Sequence, residues 1–147
     1  MLDFLTTGAN HRSRCMPAVQ VAVLIAALLP VSSAAAPRLS CEVSQGGETL
    51  MLAFSPVSDP YSVIPVDISR RFRFKAVMVG NDQKVDYISL YAYDMSSGQP
   101  VLLHEAKYLS PVPQRDATPD ALTGKHYVYS SKRGRQMEYQ CALAEVD

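Results

Sequence analysis

From Arg71 to Val79 the chain alternates: Phe72, Phe74, Ala76 and Met78 share one parity, while Arg71, Arg73 and Lys75 share the other. Successive side chains point to opposite faces only in an extended strand. This segment therefore lies with one face on a core and the other toward water. The pattern recurs along the chain. Leu39–Ser44 and Thr49–Phe54 flank Gln45-Gly46-Gly47-Glu48, whose adjacent glycines permit a tight hairpin. After the turn signal Gly80-Asn81-Asp82-Gln83, Lys84–Asp94 sets Tyr87, Tyr91 and Tyr93 with Val85 on one face, and Ile88, Leu90 and Ala92 on the other. Val101–Tyr108, Lys125–Ser131 and Gln136–Leu143 bring the expected strands to seven, and no segment carries a convincing amphipathic helical period. The expectation is an all-β domain, a small antiparallel β-sandwich or barrel of about seven strands. Its core should include Phe72, Phe74, Ile88, Leu90 and Leu143.

The first 36 residues read differently. His11, Arg12 and Arg14 precede the apolar run Ala18–Leu29, and Pro30 and the small residues Ser32–Ala36 follow it. Basic, apolar and small in that order is the signature of a secretory signal peptide. The apolar run is too short for a membrane span, which takes roughly 20 residues. Cleavage after Ala35 leaves Ser33 and Ala35 at the small-residue positions and avoids cutting before Pro37. The expected organisation is thus a signal peptide over 1–35 and a single β-domain over 36–147. The protein would be periplasmic or secreted, with no stable membrane insertion once the leader is gone. Arg38 stands where a lipidation motif before Cys41 would need a small residue, so no acylation is expected.

Export decides how the cysteines read. Cys15 leaves with the leader, while Cys41 and Cys141 remain near the two ends of the domain. An even pair in an oxidising compartment implies a disulfide, here clamping the first and last strands. Charge excludes another class of partner. Fourteen Lys+Arg balance fourteen Asp+Glu, so no basic surplus draws the chain to nucleic acid.

Catalytic signatures are missing from the sequence. It holds no G-x-S-x-G, no H-E-x-x-H, no phosphate-binding glycine loop and no dinucleotide fingerprint. No short spacing of His, Cys, Asp and Glu offers three or four convergent metal ligands. Neither metal nor cofactor is expected. His104 and His126 fall in different strands, His104 sharing a face with Leu102, Ala106 and Tyr108, and each reads as a half-buried structural side chain.

Two polar features remain as candidate binding sites. Arg70, Arg71, Arg73 and Lys75 form a basic stripe, which would hold an anionic surface or serve as a solvated strand face. Tyr87, Tyr91 and Tyr93 would make an aromatic platform for a sugar ring or a partner, extended by Tyr127 and Tyr129. The alternative is that these rings fill the core of a strand buried on both sides. Two long connections, Ser55–Arg70 and Ser110–Gly124, carry three prolines each, and loops of that length are often functional. Thr118–Leu122 would open one helical turn.

A small exported all-β domain with one cysteine in its first strand and one in its last resembles, in layout, the periplasmic inhibitors of lysozyme. No motif aligns with that family, so no residue role follows from it. The function expected is non-catalytic binding of a macromolecular or envelope partner: a protein, a glycan or an anionic component. Inhibition of a secreted or periplasmic hydrolase, with a Pro-rich loop as plug, is the alternative, and an enzyme of unknown class the third.

Overall fold

The computed structural model describes residues 35–132 and 134–146. The expected leader, Ala35 excepted, with Cys15 in it, and Arg133 and Asp147 of the expected domain lie outside these residues. Eight strands make two antiparallel sheets of four. One sheet has the order β2 (Glu48–Phe54), β1 (Ala36–Gln45), β8 (Arg135–Val146), β7 (Lys125–Ser130). The other runs β3 (Val66–Ile68), β4 (Phe72–Gly80), β5 (Val85–Asp94), β6 (Val101–Leu109). Of the two architectures expected, sandwich or barrel, the fold is the sandwich. The strand beyond the expected seven, β3, lies inside the first Pro-rich connection, where Val66-Asp67-Ile68 follows Pro65 directly and proline masked the signal.

The inner faces meet as alternation dictates. Leu39, Cys41 and Val43 of β1 and Met137, Tyr139, Cys141 and Leu143 of β8 oppose Phe72, Phe74, Ala76 and Met78 of β4 and Ile88, Leu90 and Ala92 of β5, all buried. Phe74 and Tyr139 touch across the interface with ring centroids 5.1 Å apart. Cys41 and Cys141 are register partners on β1 and β8, with Cα atoms 4.1 Å apart, and they form the disulfide. The bond therefore staples neighbouring strands of one sheet. Gly46 (φ 62°) and Gly47 (φ 88°) fill the two-residue loop between Gln45 and Glu48, the left-handed pair such a hairpin requires.

Two β-bulges change which side chains share a face. Between β4 and β5 the register moves from Val79↔Tyr87 to Gly80↔Val85, leaving Asp86 as the extra residue. Val85 consequently turns inward (2% exposed), whereas Tyr87, Tyr91 and Tyr93 stay on the outer face. Val85 does not share a face with the tyrosines, because one inserted residue swaps parity. The same happens between β5 and β6. Ala92 pairs His104 and Tyr93 pairs Leu102, so Leu103 is extra. Leu103 packs against the core while Leu102 is 48% exposed, so Leu102 does not join His104 on its face.

Both long connections are fastened to strands. Val57 continues the sheet beside β4, donating from its backbone N to the Met78 carbonyl at 2.8 Å. A short 3-10 helix over Pro60–Ser62 follows, opened by Asp59, whose Oδ1 accepts from the Tyr61 N–H at 3.0 Å. In the second connection Gln114 and Leu122 donate to carbonyls of Leu143 and Cys141, both at 3.0 Å. Thr118–Leu122 forms a turn closed by Ala121 N–H to Thr118 carbonyl at 2.9 Å, without continuing as a helix.

Candidate functional site

The structure divides the basic stripe among three settings. Arg71 precedes β4 and sits with Arg70 in the turn after β3. Ser69 (φ 48°) and Arg70 (φ 57°) both hold left-handed backbone, closed by Arg71 N–H to the Ile68 carbonyl at 3.0 Å. Neither residue is glycine, so the turn costs about 1–3 kcal/mol at each position. Arg73 points outward from β4 and meets its cross-strand partner Asp67, Nε to Oδ1 2.6 Å. That pair is solvated and is worth under about 1 kcal/mol. Lys75 projects two residues further along the same outer face. The stripe is therefore not one continuous surface, because the turn takes Arg70 and Arg71 away from the strand before its period begins.

Lys75 instead belongs with the tyrosines. Tyr87, Tyr91 and Tyr93 of β5, Lys75 and Val77 of β4, and Pro60 and Tyr61 of the 3-10 helix line an open groove of 350 Å3. The Tyr91 and Tyr93 rings stack, 21° apart in plane with centroids 6.3 Å apart. Lys107 Nζ lies 4.4 Å from the centre of the Tyr87 ring, a cation–π contact. Tyr61 is 93% exposed. Burial raises the Tyr93 phenol above its ordinary value, with Tyr91 and Glu105 adding to the effect, so its hydroxyl stays a neutral donor. These rings do not fill the core: β5 is buried on one face, and the other carries the groove. Tyr127 and Tyr129 do not extend it, since they project from β7 in the opposite sheet.

A second cavity, 370 Å3, opens at the β3–β4 turn and is lined by Arg70, Arg71, Asp94, Ser96, Ser130 and Arg135 among others. Asp94 is its buried carboxylate. It accepts from Ser96 N–H at 2.8 Å and from the hydroxyls of Ser96 and Ser130, each at 2.7 Å. Burial alone would raise this carboxyl, but the hydrogen bonds from Ser130 and Ser96, aided by Lys132, outweigh it and hold it below the ordinary range.

The histidines, separate in sequence, meet between the two sheets. His104 and His126 have ring centroids 5.2 Å apart, and His126 stacks on Tyr139 at 5.1 Å. His104 Nε2 and the Tyr139 hydroxyl are hydrogen-bonded at 2.8 Å. His126 Nε2 lies 2.9 Å from the Thr123 carbonyl, which only accepts, so this nitrogen carries its proton. Burial, then the His126 charge, push His104 below its ordinary value.

Sequence reasoning did not reach Tyr61, Asp94, Ser130 and Tyr139. Asp94-x-Ser96 at a strand end was a legible signal, the pattern of an Asx turn. Ser130 and Tyr139 carry none, because their partners are tens of residues away. Among the described residues no group of three or more His, Cys, Asp and Glu is placed to hold a metal ion, and no helix is long and apolar enough to cross a membrane. No protein-family model, no curated protein and no solved structure matches the chain.

Proposed function

We propose that the chain is an exported, non-catalytic binding domain, periplasmic or secreted, whose tyrosine groove takes a glycan strand. The observation behind this reading is the convergence of Tyr61, Tyr87, Tyr91 and Tyr93 with Lys75 on one outer face. Flat aromatic rings suit the C–H faces of pyranose sugars, and their hydroxyls suit sugar hydroxyls. Lys75 adds a donor for an acidic substituent. The leader-like order of residues 11–36 supports export, and the disulfide suits an oxidising compartment.

The sequence has no tryptophan and four of its eight tyrosines line the groove, so tyrosine fluorescence carries a signal from it. Titration with oligomers of N-acetylglucosamine should change that emission saturably. Tyr91→Ala and Tyr93→Ala should each weaken binding about tenfold, equivalent to 1.4 kcal/mol. Unchanged affinity in both variants would overturn the reading.

The hydrolase-inhibitor reading has one observation in its favour. The 3-10 loop is anchored at Asp59 and Val57, yet presents Tyr61 (93% exposed) and Ile64 (81% exposed) at its tip. A rigid loop with an apolar tip is what a plug requires. Ile64→Asp separates the two: it should abolish inhibition of a target hydrolase and leave glycan binding intact.

A further inference from the structure

We propose that the cavity at the β3–β4 turn is a second, separate site, taking the phosphate of a small polyol phosphate. Arg70 and Arg71 are exposed cations that make no ion pair among the described residues, although both line the same cavity. Arg135 adds a third guanidinium to the wall, against one carboxylate, Asp94. Glu48, just outside, is engaged by the Ser69 hydroxyl at 3.2 Å. The lining is thus net positive. Guanidinium groups match phosphate with paired N–H donors, which makes arginine the usual side chain for oxyanion recognition.

The backbone argues the same way. Ser69 and Arg70 are held in left-handed conformations that glycine would adopt at less cost. Strain of this kind concentrates where it sets the aim of a side chain. Here the strained turn carries adjacent arginines that line one cavity. The turn is also tied to the next loop, the Met95 N–H donating to the Arg71 carbonyl at 2.8 Å.

The opposite wall accounts for the polyol. A carboxylate accepts at about four positions. Asp94 Oδ2 uses two on Ser96 and Ser130, and Oδ1 uses one on the Ser96 backbone. Among the described residues, one acceptor position on Oδ1 remains for a ligand hydroxyl. A cavity of 370 Å3 exceeds the needs of a bare phosphate and falls in the small-molecule range.

The chemistry is shared by free polyol phosphates and by lipid headgroups, and calorimetry of the purified protein distinguishes them. Glycerol 3-phosphate should bind saturably, more tightly at low salt, while glycerol alone should not. Vesicles of phosphatidylglycerol that bind where glycerol 3-phosphate does not would place the same site on a membrane lipid. In either arm, R70Q/R71Q should weaken binding at least tenfold, with an unchanged unfolding midpoint as the fold control. R70G gives an independent reading: it removes the side chain and the strain together, so its midpoint should rise while binding falls. Absence of binding in both arms, or wild-type affinity in either variant, would overturn the proposal.

Discussion

Asp94 shows how one side chain can hold two sheets together. Its carboxylate, on β5, accepts from Ser130 on β7 at 2.7 Å, across the core rather than along a strand. Removing it leaves buried donors without partners, which costs about 1–3 kcal/mol. Asp94→Ala should therefore lower stability by that amount in denaturant unfolding. Asp94→Asn, which keeps an acceptor oxygen, should lose less. Phe74 acts through volume instead. It is fully buried against Tyr139, and Phe74→Ala should cost about 3–5 kcal/mol. The inward parity of β4 was legible from alternation alone. The Asp94–Ser130 contact was not, because nothing local relates residues 36 apart.

Among the elements, the bulges decide the character of the outer face. A bulge at Asp86 sends Val85 into the core and keeps three tyrosines outside, so the groove depends on one extra residue. Gly80 makes that bulge possible. A Cβ there would lie 2.2 Å from the Lys84 carbonyl oxygen, a backbone atom that cannot rotate away. Gly80→Ala should cost about 3 kcal/mol, the upper end for forcing a methyl into a packed site. It should also change the tyrosine emission of the groove, since the bulge sets the outer face of β5. Periodicity detects strands well but counts residues from one end, so every face assignment beyond a bulge inverts. That is why Val85 and Leu102 were placed on the wrong sides, while Phe72, Phe74, Ile88 and Leu90 fell where expected.

At the scale of the whole molecule, stability should depend on redox state and on pH. The Cys41–Cys141 bond closes a loop of 100 residues, for which chain entropy allows up to about 4.7 kcal/mol. Cys41→Ala/Cys141→Ala should lower the unfolding midpoint accordingly. The register of β1 and β8, held by neighbouring ladder pairs, should survive. His104 is depressed in the folded state, so protonation favours the unfolded chain. Its contribution is complete above the ordinary value of 6.5 and is lost as pH falls below that toward the folded value. Unfolding free energies measured from pH 7 to 5 should decline, and His104→Gln should flatten the curve. Composition, alternation and cysteine placement were enough to determine an all-β domain, its principal strands, the inward face of β4 and the pairing of the cysteines, because each follows from local period or from a count of two. The partition of the basic stripe, the tyrosine groove with Tyr61 as its wall, the Asp94 cavity and the meeting of His104 with His126 were decided only by the tertiary structure. Each depends on which strand edges and turns come together when two sheets pack, and packing joins residues that no local period connects.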